Sequence, residues 1–138
     1  NDLLNRRGQA DVDRLDRVTR NITREADHEF WLKDLELRAA FVQQGDRIGA
    51  YAYGGVDQVG PVAGSTQDAA LAAIGWALDS AIESGATRNL QLRVPAPFSS
   101  AIEALLDSDA HLNATFLIFG KGISLNFDRL ILGPPCLP

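Results

Sequence analysis

The chain contains a single cysteine, Cys136, close to its C-terminal end. One thiol excludes an internal disulfide framework and any cysteine-built zinc site. Histidine is scarce as well: His28 and His111 stand far apart, without the spacing that puts two ligands on one metal, so no metal centre is expected. Long apolar runs are missing, and the longest fall well short of the ~20 residues a membrane-spanning helix needs. The opening Asn1-Asp2-Leu3-Leu4-Asn5-Arg6-Arg7 contains no signal-peptide core. The expected location is therefore the cytoplasm, with no membrane partner. Positive charge is in deficit, since thirteen Lys and Arg face eighteen Asp and Glu for a net charge of -5. The cationic surface that grips a phosphate backbone is lacking, and nucleic acid is not an expected partner. G-x-S-x-G, P-loop, G-x-G-x-x-G and H-E-x-x-H motifs are all absent, which removes the common signatures of hydrolase, kinase, dinucleotide and zinc-protease chemistry.

What is present is ordinary globular usage. The 138 residues are 46% hydrophobic and 22% charged, enough to close one core in a single domain over residues 1-138. Val12, Leu15, Val18, Ile22, Ala26 and Phe30 recur at steps of three and four, which predicts one amphipathic helix over 11-33 with a mixed-charge, solvated outer face. The period then drops to two: Leu35, Leu37, Ala39 and Phe41 predict a strand, Gly45-Asp46-Arg47 a hairpin turn, and Ile48 to Tyr53 its antiparallel mate. Gln58 to Ala63 reads as a third strand, limited in its ladder by Pro61. Ser65 and Thr66 offer caps for a helix opening near Asp68, with Leu71, Ile74, Leu78 and Ile82 as its buried stripe and Gly85 as a left-handed stop. Leu90 to Val94 predicts a strand ended by Pro95-Ala96-Pro97. Ser100-Ala101-Ile102-Glu103 has capping-box spacing for a short helix carrying Ile102, Leu105 and Leu106. Asn113 to Gly120 is the most apolar strand and is expected at the centre of the sheet, ahead of a Gly/Pro-rich tail over 121-138 that contains Leu130-Ile131-Leu132. The sheet and its helices thus occupy 35-120. The expected class is α/β (α+β), an antiparallel meander followed by parallel strands joined through a crossover helix.

One junction invites a ligand. Val59-Gly60-Pro61-Val62-Ala63-Gly64-Ser65-Thr66-Gln67-Asp68 runs from a strand into a helix N-terminus, whose free amides and positive dipole end suit an anion. A plain capped helix start accounts for the same residues. The arrangement over Arg47 to Lys121 resembles the C-terminal half of the GNAT superfamily of acetyl-CoA-dependent N-acetyltransferases, and within it the C-terminal domain of two-domain members. The carrying residues are Arg47-Ile48-Gly49-Ala50-Tyr51-Ala52-Tyr53, similar to a strand ending in Gly-Tyr-Ala, and Val59-Gly60-Pro61-Val62-Ala63, similar to the Gly-Pro-Val strand of those domains. The Ala/Leu-rich helix from Asp68, the strand Leu90 to Val94, and the helix and strand after it complete the likeness.

That resemblance implies a mixed sheet with helices on both faces, splayed between Val59-Ala63 and Leu90-Val94 to take the pantetheine arm of acetyl-CoA. It implies cofactor contacts at Val59, Pro61, Val62, Ala63, Thr66, Gln67 and Asp68, and an amine as the acceptor substrate. Alignment on Leu71 puts Ala63, Thr66 and Asp68 at the positions of the Arg/Gln and two Gly residues of the superfamily's pyrophosphate loop. An aspartate there places negative charge where a dianion should sit. Alignment on Ala101 puts Phe98, Leu105, Asp109 and Ala110 where the Asn of an N-x-x-A sequence, a general-acid tyrosine and a following Gly-Phe usually stand. Tyr51 and Tyr53 remain as catalytic candidates, with core packing as their ordinary role. His28, Asp57 and Gln58 are candidates for the base. Two functions follow: an acetyltransferase moving acetyl from acetyl-CoA to an amine, or a non-catalytic GNAT-like module for homodimerisation or for binding an acyl-CoA or another small molecule.

Overall fold

The structure is a computed structural model that describes residues 6-56, 58-85, 90-112, 114-115 and 125-133. Helix α1 spans Arg6–Arg20 and α2 spans Glu25–Lys33. Strands β1 (Arg38–Gln44), β2 (Arg47–Gly54) and β3 (Val59–Gly64) follow, then helices α3 (Gln67–Glu83) and α4 (Ser99–Asp107). A 3-10 turn at Phe127–Arg129 leads into the short strand β4, Leu130–Ile131. The class is mixed α and β. No helix among the described residues is long and apolar enough to cross a membrane.

The sheet has the order β1-β2-β3-β4, and every pair within it is antiparallel. The β1–β2 hairpin closes through Gly45, whose φ of +60° suits a residue without a Cβ. Alternation along β2 splits the core in two. Ala50 and Ala52 face α3 in a cluster with Val59, Val62, Phe98, Ala101 and Ile131. Tyr51 and Tyr53 face the other way, with Val12 and Leu15 of α1, Trp31 of α2, Leu37 and Ala63. Helices therefore cover both faces.

Helix α3 packs through its smallest residues. Ala69, Ala70, Ala73, Ala77 and Ala81 are buried with Ile74, Leu71 and Leu78 are half-buried, and Ile82 is 60% exposed. The expected stripe of large side chains is thus replaced at its C-terminal end by alanine, because the helix lies close to the strands. A Cβ on Gly54 would meet the Ala77 carbonyl oxygen at 2.6 Å, and one on Gly64 would meet Ala70 at 2.8 Å. The helix ends behave as expected. Thr66 Oγ1 accepts from the Ala69 amide at 3.2 Å as the N-cap, and Gly85 has φ +94° beyond the C-terminus.

Four further expectations need correction. The single helix over 11-33 is two helices, because Asn21 takes φ +59° and closes α1. That break shifts the helical phase: Val18, Ile22, Ala26 and Phe30 lie exposed, while His28 and Trp31 turn inward. The first strand begins at Arg38, not Leu35, after Glu36 at φ +51°. Ser100 does not cap α4; it sits inside the helix and donates its hydroxyl to Gln67 Oε1 at 3.1 Å. Finally, Leu90 to Val94 forms no continuous strand. Gln91 makes one isolated parallel bridge to Gln58, and Arg93 makes one antiparallel bridge to Leu132. The chain's own C-terminal segment enters between β3 and Arg93, so the two cannot continue side by side. The expected central strand over 113-120 falls outside the described residues except for Ala114 and Thr115, which are exposed and not in a strand.

The packing makes opposite demands on two glycines. Gly54→Ala drives a methyl into the Ala77 carbonyl and should destabilise by about 1-3 kcal/mol. Gly75→Ala, in the middle of α3 with open space around it, should stabilise by about 0.5-1 kcal/mol. Urea midpoints of the two variants moving in the same direction would contradict the close approach of α3.

Candidate functional site

The polar face of α1 turns out to contain its most buried charges. Val12, Leu15 and Thr19 bring one side of the helix onto the sheet, and Asp16 and Arg20, four residues apart, come with them. Their side chains are 0% and 4% exposed, a desolvation that only close pairing can offset. Asp16 Oδ1 accepts from the Tyr51 hydroxyl at 2.5 Å and from Arg20 Nη1 at 3.3 Å. Its other oxygen accepts from His28 Nε2 at 2.8 Å, and His28 Nδ1 lies 2.6 Å from the Tyr53 hydroxyl. Arg20 Nη1 also donates to Tyr51 at 3.0 Å, while Nη2 reaches the carbonyls of Val62 at 3.1 Å and Ile131 at 3.3 Å.

An aromatic cage encloses these groups. The His28 ring meets Trp31 and Tyr51 edge-on, each at 5.0 Å between centroids, and Tyr53 packs on Trp31 at 5.1 Å. Burial pushes the Tyr51 hydroxyl well above the usual phenol range; the Arg20 charge opposes that rise, and Asp16 and Tyr53 add to it. Tyr53 is raised in the same way by burial and by the Asp16 carboxylate. Both hydroxyls are therefore held protonated and engaged. The Asp16–His28–Tyr53 chain has the parts of a proton relay, and all three side chains are buried.

The anion-binding candidates lie on the next strand. Val59, Pro61, Val62 and Ala63 are buried in β3. Val62 pairs with Ile131 and Ala63 with Leu130, so β4 occupies this edge. The Val59 amide donates to the Gln91 carbonyl at 3.2 Å. At the mouth of α3, Thr66 is the cap, Gln67 accepts from Ser100, and Asp68 is an exposed carboxylate in the first turn. Arg129 closes the same corner by donating to the Ser65 carbonyl at 2.8 Å. Phe98 is fully buried and Asp109, at φ +62°, follows α4. Gln58 makes the bridge to Gln91, and Asp57 lies outside the described residues.

The structure thus gathers Tyr51, Tyr53 and His28 into one cluster and keeps them from Thr66, Gln67 and Asp68. Asp16 and Arg20 complete the cluster and were missed by sequence reasoning, which assigned them to the solvated face. Their four-residue spacing in phase with Val12 was the available signal. Among the described residues no three His, Cys, Asp or Glu side chains converge as a metal site. No family model, curated protein or solved structure matches this chain.

The raised tyrosines fix the behaviour of the fold in alkali. Their unfolded value is about 10, so the stability they contribute is fully present below that pH and is lost as pH rises beyond it towards their folded values. The chain has two tyrosines. Phenolate absorbance should therefore appear in one cooperative step, coincident with loss of circular dichroism. Reversible ionisation near pH ~10 in the folded protein would contradict the buried cluster.

Proposed function

We propose that this chain is a GNAT-like module that transfers no acetyl group and serves in dimerisation or in binding a small molecule other than acetyl-CoA or CoA. The observation that carries this reading is the pairing of β4 with Val62 and Ala63. In an acetyl-CoA-dependent enzyme of the resembling superfamily, the pantetheine arm runs beside that strand. Here Leu130 and Ile131 occupy the edge, both fully buried.

The chemistry around the gap supports the same reading. A pyrophosphate at the start of α3 would meet the Asp68 carboxylate, which opposes the favourable end of the helix dipole. The departing thiolate would need a proton donor, yet the hydroxyls of Tyr51 and Tyr53 are committed to Asp16 and His28 behind the sheet. Acetyl transfer to an amine is the rival reading. What favours it is the layout of Gln58 and Gln91, bridged in parallel before the chain separates around Leu132. That reading requires β4 to leave.

Calorimetric titration of the intact chain with acetyl-CoA and with CoA separates the two. The module reading expects no saturable heat from either. Saturable binding of both, accompanied by acetyl transfer to a panel of small amines, would overturn it. Sedimentation of the same sample then tests the dimer: a mass twice that of the 14.9 kDa chain supports dimerisation as the module's role.

A further inference from the structure

The C-terminal segment is seated by groups from four parts of the chain. The Asn126 amide donates to the Thr19 carbonyl at 2.7 Å and its side chain to the Val18 carbonyl, both at the end of α1. Arg129 holds the Ser65 carbonyl, Leu130 and Ile131 pair with β3, and the Leu132 amide donates to Arg93 at 3.4 Å. Gly60 leaves room for it, since a Cβ there would lie 3.1 Å from Ile131. A two-residue ladder is the shortest in the sheet. Its opening would break only two backbone pairings in the sheet, a local event that hydrogen exchange can read apart from global unfolding.

Ile131 faces both ways across the sheet. Its side chain belongs to the core under α3, while its carbonyl accepts from Arg20 on the opposite side. Through its other nitrogen Arg20 binds Asp16 and Tyr51, and Asp16 holds the His28 ring of α2. Helix α2, whose N-cap has no side-chain hydrogen bond, is tied to the sheet by His28 and Trp31, with Leu32 packed against the same cluster.

We infer that Arg20 couples the C-terminal strap to α2, so that release of β4 from β3 loosens α2 on the far side of the sheet. With the strap seated, the Val62 and Ile131 carbonyls hold one edge of the guanidinium and Asp16 and Tyr51 hold the other. With it released, Arg20 loses one of its two carbonyl acceptors and gains room to turn. Asp16 then no longer presents a fixed oxygen to His28. The strap is the two-state element, and the guanidinium transmits its position.

Hydrogen exchange on the full chain tests the coupling. Ile131→Ala removes apolar contacts on the α3 side only and touches nothing in α2. It should speed exchange of the amides at 28-33 by about tenfold, with the α3 amides at 70-77 much less affected as the control for global unfolding. In an Arg20→Lys background the same Ile131→Ala change should alter α2 exchange by less than about twofold, because the fork that reads the strap is gone. If Arg20→Lys does not fold, Tyr51→Phe in its place removes a hydroxyl joining Arg20 to Asp16 and should weaken the response in the same direction. Unchanged α2 exchange in Ile131→Ala while the strap amides speed up would overturn the inference. So would an equal response with and without the Arg20 fork.

Discussion

The buried guanidinium of Arg20 is the constraint on which the rest of the molecule is arranged. A charge taken almost wholly out of water needs an anion beside it and partners for its donors, and both terminal nitrogens of Arg20 have them, while its Nε is buried without one among the described residues. Asp16 supplies the anion from one turn earlier on α1, Tyr51 reaches up from β2, and the carbonyls of Val62 and Ile131 come from two adjacent strands. Removing any one of these leaves a buried polar group without its partner. The position of α1, the direction of the tyrosines and the seat of β4 are consequently fixed together.

The other face of the sheet is held by different means. There the contact is apolar and close, with alanines of α3 against Gly54, Gly64, Ala50 and Ala52. Small residues bring the helix near enough for dispersion contacts to accumulate, and they leave little freedom for substitution. One sheet thus carries a polar, directional layer and a dry, shape-limited layer. Ile131 contributes to both, through its carbonyl to the first and its side chain to the second.

Several local features were legible in the sequence, whereas those that depend on distant partners were not. The hairpin turn at Gly45, the Thr66 cap and the Gly85 stop each rest on chemistry within a few residues of the feature itself. The break at Asn21 was hidden because Val18, Ile22, Ala26 and Phe30 keep a helical spacing straight across it. Periodicity weighted toward large side chains picked Ile82 for the core of α3 and undervalued the alanines, which serve equally in a core or on a surface. Asp16 and Arg20 look like surface charges until a tertiary partner is known. Burial of such a pair is decided by Tyr51, Val62 and Ile131, distant in sequence. The two-residue strand β4 has no period to detect, and its pairing depends on Val62 and Ala63 far upstream.

Equilibrium denaturation of Arg20→Met measures the energetic weight of the Arg20–Asp16 pair. Methionine fills similar space but leaves Asp16 as an uncompensated buried charge. The predicted loss is about 3-5 kcal/mol, with a substantial part regained when Asp16→Leu is added to remove the stranded carboxylate. A loss below about 0.5 kcal/mol for Arg20→Met alone, the size expected of a solvated surface residue, would contradict the claim that this guanidinium organises the fold.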